Sequence, residues 1–243
     1  TGGQGSGKTT LSNFLQLMLR RACGKSSIGF SIDDLYKIKK DRNRLAKNVH
    51  PLCKVRGVPG THDIHMGLKT LDSLFTAIPS TLTPIPDFSK PLDERKPESA
   101  WQVYEGRPDY IFFDAWFGGA KPLPEQDWKP PMNALELEED PEGIWSKWSN
   151  KELAGDYQRL FNRFDLLLMI KLPNMDDIYH SRWLQEQTLA KTLTDPELQK
   201  KIMTREEVDR FVMHYERLTH YVQEKIPAFA DIVIERDERF NYC

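Results

Sequence analysis

Residues Thr1–Thr10 read TGGQGSGKTT, and no other stretch limits the fold as strongly. Gly2, Gly7, Lys8 and Thr9 fit the phosphate-loop pattern G-x-x-x-x-G-K-[ST] without mismatch. Glycines let the backbone turn tightly, so that several N–H groups converge on phosphate oxygens. The helix that follows adds the positive end of its dipole. Gly2, Gly3, Gln4, Gly5, Ser6, Gly7, Lys8, Thr9 and Thr10 are therefore the expected nucleotide-binding residues. Lys8 supplies a cation for the outer phosphates, and the Thr9 hydroxyl a ligand for Mg2+. Leu11, Phe14, Leu15, Met18, Leu19 and Ala22 then recur at helical spacing, which predicts an amphipathic helix stopped at Gly24. A phosphate loop follows a buried strand. The residues begin at Thr1, so the first strand of the sheet is expected to precede them and to be missing from this chain.

With 243 residues the chain can bury a sizeable core, and it is expected to form a single domain over 1–243. The 34 basic and 36 acidic residues nearly cancel, which argues against nucleic acid or a membrane surface as partner. No apolar run approaches a membrane span. Three cysteines without C-x-x-C spacing point to a reduced, cytoplasmic protein.

Strand and helix patterns alternate along the chain. Ser27–Ile32 reads as a strand running into Asp33 and Asp34. Thr61 is expected to cap a helix with apolar positions Ile64, Leu68, Leu71, Phe75 and Ile78. Tyr110–Phe113 reads as a buried strand ending in Asp114. Asp165–Leu172 and Asp231–Glu235 are further strands, and Met203–Ile226 a long helix. The residues from Lys121 to Asn150, rich in Pro, Trp and acids, read as an irregular excursion. This order predicts an α/β P-loop NTPase fold, a parallel sheet with helices on both faces.

Chemistry in such sheets lies beyond the carboxyl ends of the strands. Asp114 has the position of a Walker B acid, a metal ligand beside Thr9. Asp33 or Asp34 could take a proton from an attacking hydroxyl, or the two could simply cap a helix start. Arg56, in Arg56–Asp63 (RGVPGTHD), suits a carboxylate, although a capped helix entry explains the same turn residues. Lys37–Arg44 (KIKKDRNR) reads as a solvated helical face.

SIDDLY, RGVPGTHD, PIPDFSK, FFDAWF and SRWLQE follow the loop in this order, and Asn150–Asp165 reads NKELAGDYQRLFNRFD. Together these resemble the D-glycerate 3-kinases, P-loop enzymes related to uridine kinase, pantothenate kinase and phosphoribulokinase. The bacterial members are the most similar, notably at NALELEEDPEGIW. The resemblance implies ATP and Mg2+, a small-molecule hydroxy-acid acceptor, and transfer of the γ-phosphate to D-glycerate. It assigns Asp33 as the base, and Lys8 and Arg182 as catalytic cations, with a lid at about 175–205. Asp34, Tyr36, Arg56, His62, Asp63, Lys90 and Arg95 would line the acceptor pocket. Two departures stand out: the family often has Glu at Asp114, and its G-x-G-D-R is replaced by Pro91–Arg95. A kinase of another small alcohol, a P-loop ATPase or GTPase, and a nucleotide-binding regulator that has lost catalysis are the rival readings; intact Lys8, Thr9, Asp33 and Asp114 argue against the last. Neither an N-K-x-D guanine motif nor an L-S-G-G-Q signature occurs.

Overall fold

The structure is a computed structural model that describes residues 1–192, 199, 202–239, 241 and 242. Part of the expected lid, and Cys243, lie outside the described residues. The elements in chain order begin with α1 (Lys8–Cys23), β1 (Ser27–Ser31), α2 (Lys39–Asn48) and α3 (Ile64–Thr76). Five strands follow: β2 (Leu82–Ile85), β3 (Phe88–Ser89), β4 (Glu94–Arg95), β5 (Gln102–Glu105) and β6 (Tyr110–Asp114). Then come α4 (Ala134–Glu139), α5 (Ile144–Leu153), α6 (Asp156–Phe161) and β7 (Leu168–Lys171). The last are α7 (Met175–Thr192), α8 (Arg205–Lys225) and β8 (Ile232–Glu235). Two compact units contain them. One comprises Lys8–Ala115 and Glu152–Arg163; the other comprises Thr1–Gly7, Trp116–Lys151 and Phe164–Cys243.

In the first unit β1 and β6 pair in parallel, from Ser27 opposite Tyr110 to Ser31 opposite Asp114. Helix α1 forms where its periodicity predicts, and Gly24 at φ +63° ends it. Its apolar face is only partly used. Leu11, Leu15 and Leu19 are half-buried, whereas Phe14 and Met18 are 55% and 45% exposed. Positions 11, 15, 19 and 14, 18, 22 form two adjacent ridges on a helix, and one of them is the more covered. Strand β6 is likewise half-buried rather than buried. Among the described residues β1 is the strand that pairs with it.

Helix α3 is capped by Asp63, whose carboxylate accepts from Met66 N, and not by Thr61. The Thr61 hydroxyl is already committed to the preceding turn, donating to Val58 O and accepting from Gly57 N. Ile64, Leu68, Leu71 and Leu74 are buried, but Ile78 lies past the helix end and is exposed. The stretch Lys37–Arg44 is not wholly solvated either. Arg42 is buried, and its guanidinium donates to the carbonyls of Lys37, Lys54 and Asp93. Two antiparallel pairs, β2 with β5 and β3 with β4, add to the parallel strands.

In the second unit β7 and β8 pair in parallel, Leu168 opposite Ile232 through Lys171 opposite Glu235. Gly2 forms a parallel bridge with Ile170, and Ile170 N donates to Thr1 O, so Thr1 and Gly2 lie in strand register beside β7. Leu172, Ile178, Val208 and Val212 form a core between α7 and α8. Thr204 and Glu207 start α8 with a capping box. The Lys121–Asn150 excursion is irregular only in its first part. Asn133 caps α4, and the buried Asp140 carboxylate accepts from Trp145 N and Ser146 N in the first turn of α5. Such caps stabilise helices too short to persist alone.

Candidate active site

The phosphate loop starts in the β7–β8 unit. Gly2 has φ +146°, and a β-carbon there would collide with Ile170 O. Gly5 has φ +71°, and its β-carbon would come within 2.7 Å of Ser181 Cβ. Both positions therefore require glycine. Beneath the loop lies Arg236, buried, whose Nη1 donates to Gly5 O and Nη2 to Ser181 Oγ, each at 2.7 Å. Sequence reading missed this arginine; its only signal is a cation directly after the apolar strand Ile232–Glu235. The Ser6 side chain is fully buried, and its hydroxyl has no hydrogen-bond partner among the described residues. Arg182, on α7 of this unit, pairs with the buried Glu186 at 2.8 Å and lies over the Phe211 ring.

Lys8, Thr9 and Thr10 open α1 in the β1–β6 unit. Thr9 Oγ1 donates to Asp114 Oδ2 at 2.6 Å, which joins the end of the phosphate loop to the carboxyl end of β6. The pair is a set of hard oxygen donors of the kind Mg2+ takes along with nucleotide phosphates. On the neighbouring strand, Ser31 Oγ donates to Asp114 O. Ser31 also starts the tight turn Ile32–Leu35, in which Asp34 accepts from Ser31 N and Ser31 Oγ accepts from Asp33 N.

This turn separates the two aspartates. Asp34 is occupied with capping, and burial pushes its carboxyl up to about 6. Asp33 points to a different set of partners: Tyr36 Oη donates to Oδ1 at 2.8 Å and Lys90 Nζ to Oδ2 at 2.6 Å. Burial alone would raise the Asp33 carboxyl, but the Lys90 charge and the bonds from Lys90 and Tyr36 outweigh it and hold it at about 2. It is ionised at neutral pH.

The remaining expected acceptor residues gather around Tyr36. Residues 35–37 run antiparallel to 61–63, with Lys37 N donating to Thr61 O and Asp63 N to Leu35 O. The His62 ring stacks on Tyr36, with centroids 4.7 Å apart. Burial pulls the imidazole down to about 3, which leaves His62 neutral. Its Nδ1 lies 2.7 Å from Tyr157 Oη, which also accepts from Gly60 N. Tyr157 anchors the Arg56–Asp63 turn from a segment about a hundred residues away, which local sequence cannot show. Lys37 Nζ donates to His62 O, and burial pulls its ammonium down. Arg95 reaches both strands of this pairing, donating to Tyr36 O and Asp63 Oδ2. The Arg56 guanidinium lies about equally near the rings of Tyr36 and Phe88, and its Nη1 meets Asp93 Oδ1 at 2.5 Å. The structure thus brings Asp33, Asp34, Tyr36, Arg56, His62, Asp63, Lys90 and Arg95 into one cluster.

No protein-family model matches the chain. It is 31% identical over 222 residues to the uncharacterized kinase mug58 of Schizosaccharomyces pombe, covering 88% of this chain and 76% of that protein. It is 28% identical over 219 residues to the chloroplastic D-glycerate 3-kinase of Arabidopsis thaliana, covering 87% of this chain and 44% of that enzyme. That name gives no support for the expected cytoplasmic location. These relatives are fungal and plant proteins, so a bacterial-type member remains an expectation. The solved D-glycerate 3-kinase of Cryptococcus neoformans superposes with a TM-score of 0.76 at 20% identity, over 100% of this chain and 86% of that one. It shows the fold to be that of a P-loop kinase. At the 31% identity and 76% coverage found with mug58, the chain belongs to the D-glycerate 3-kinase family of P-loop kinases.

Proposed function

We propose that the chain is an ATP-dependent kinase that transfers the γ-phosphate of ATP to a hydroxyl of D-glycerate, giving 3-phosphoglycerate. The observation that carries this reading is the common end of β1 and β6. The Thr9–Asp114 pair and the Asp33 turn leave adjacent parallel strands at the same register, Ser31 opposite Asp114. This couples a metal and phosphate ligand to a carboxylate able to act on an acceptor.

In this reading Asp33 orients an acceptor hydroxyl and takes its proton while the hydroxyl oxygen attacks the γ-phosphorus. The bond from phosphorus to the bridging oxygen of ADP breaks in the same in-line displacement. Lys8 stabilises the charge on the outer phosphates. Mg2+, held by Thr9 and Asp114, would neutralise the nucleotide phosphates. Arg56 holds the acceptor carboxylate by charge-assisted hydrogen bonds, with Lys90 as the second cation. Tyr36, His62 and Asp63, fixed by Tyr157 and Arg95, shape the pocket for a short acid.

A coupled assay of ADP release tests this, with D-glycerate, glycerol, a nucleoside and pantothenate as acceptors. Turnover that depends on glycerate and is far lower with the others supports the reading. ADP release independent of any acceptor overturns it in favour of an ATPase.

A further inference from the structure

The connection between β3 and β4, Lys90–Asp93, is a tight turn in which Asp93 N donates to Lys90 O. Its two charged residues lie three apart and take different partners in the cluster. Lys90 lies on Asp33, and Asp93 lies on Arg56. Among the described residues Asp93 is also the non-glycine residue with a left-handed backbone, φ +54°, a conformation that glycine adopts freely and that Asp and Asn tolerate best. Three cations face its carboxylate: Arg56 at 2.5 Å, Arg42 at 2.7 Å and Lys39 at 3.9 Å.

We propose that Asp93 determines specificity as an internal carboxylate seated on Arg56, which the carboxylate of an acceptor must displace. This inference rests on the glycerate reading above. Displacement is an exchange of like for like. The Arg56–Asp93 pair is partly open to solvent, with side chains 22% and 27% exposed, so water screens part of its attraction. On release Asp93 retains Arg42 and Lys39, so its charge is not left unpaired. Arg42 retains the carbonyls of Lys37, Lys54 and Asp93 throughout. A neutral alcohol offers Arg56 nothing to replace Asp93. An acid with a short carbon chain does, and the arginine then exchanges one carboxylate for another that carries the reacting hydroxyl. Asp93 thereby sets a threshold that only anionic acceptors cross.

Asp93→Asn removes the competing charge and keeps a residue that tolerates the left-handed backbone, and Asp93→Gly relieves that backbone altogether. Binding of D-glycerate and of propanoate, an acid with no hydroxyl to phosphorylate, is measured by calorimetry or NMR without nucleotide. Both acids are expected to bind about two- to fivefold more tightly to the two variants, the scale of a partly exposed ion pair. The KM for glycerate falls with them, and the KM for ATP does not follow. Unchanged or weaker binding overturns the proposal, because Asp93 then orients Arg56 rather than competing for it. Loss of folded structure in both variants also overturns it, by making Asp93 a structural counter-ion of Arg42. Wild-type protein that turns over no glycerate would refute the substrate reading instead, and the propanoate measurement would still judge Asp93.

Discussion

Lys90 Nζ lies 2.6 Å from Asp33 Oδ2, and this pair fixes the protonation state of the proposed base. Burial pushes the Asp33 carboxyl up, and the lysine does most to reverse it. Lys90→Met should therefore raise the Asp33 pKa from about 2. The acid limb of kcat/KM, which reports groups of the free enzyme, should move to higher pH in this variant. A pH–rate profile with an unmoved acid limb would mean that a different group accepts the proton.

The two neighbouring aspartates should part company on substitution. Asp33→Asn should lower kcat by about two to four orders of magnitude, the scale of general-base loss, with little change in ATP affinity. Asp34→Asn keeps an oxygen that can accept from Ser31 N and removes a buried charge that the fold disfavours. It should therefore leave turnover nearly unchanged and should not lower stability at neutral pH. Turnover and melting of the two variants, measured side by side, check the assignment. Near-normal kcat in Asp33→Asn would sink it.

What the sequence reveals here is what chemistry imposes locally. The phosphate loop, the strand ending in Asp114 and the aspartate pair after Ser31 each need fixed residue types at fixed spacing, and the structure places them at loop and strand ends. Asp63 took the cap expected of Thr61 because both residue types suit it, and only the turn geometry shows the Thr61 hydroxyl to be occupied. Tyr157 and Arg236 left little local signal, since each acts across the fold on a backbone atom far away in sequence. The β3–β4 pair has two residues per strand, too few for alternation to register. The grip of Asp93 on Arg56 depends on that turn, and was invisible for the same reason.

Acid stability should show a plateau. An unfolded His62 takes up a proton below pH 6.5, whereas the folded one resists until about 3, so acid favours unfolding through this group. Asp34 acts in the opposite sense: folded, it binds its proton from about 6, unfolded only from 3.8. The two nearly cancel between about pH 6 and pH 4. Below about pH 4 Asp33, held at about 2 in the fold, joins His62 and stability should fall steeply. Urea midpoints across this range check the shape. In Asp34→Asn the plateau should disappear, with loss beginning near pH 6.5.

Arg236→Ala should weaken nucleotide binding from below the loop. It removes two charge-assisted bonds, to Gly5 O and Ser181 Oγ, at a cost of about 2–4 kcal/mol in stability. ATP affinity should fall with it, and Arg236→Lys should restore only part, because a point charge cannot span both acceptors. Calorimetric ATP binding beside thermal melting separates loop support from general destabilisation. Unaltered ATP affinity in a destabilised Arg236→Ala would show that the loop keeps its shape without the arginine.

Arg56 provides the sharpest test of acceptor chemistry. Glycerate has three carbons and few groups to hold, so its carboxylate should carry much of its binding. A guanidinium presents two parallel donors to a carboxylate, which the ammonium of lysine cannot reproduce. The rings of Tyr36 and Phe88 beside Arg56 fit its flat face as well. Arg56→Lys should therefore raise the KM for glycerate by about ten- to a hundredfold and leave the KM for ATP nearly unchanged. If Arg56 served only to brace the turn through Asp93, the substitution would lower the melting temperature and change both constants together. Kinetics with glycerate and with glycerol, on both proteins, decide the matter. Equal use of the two acceptors by the wild type would rule out carboxylate recognition and assign the chain to a neutral alcohol.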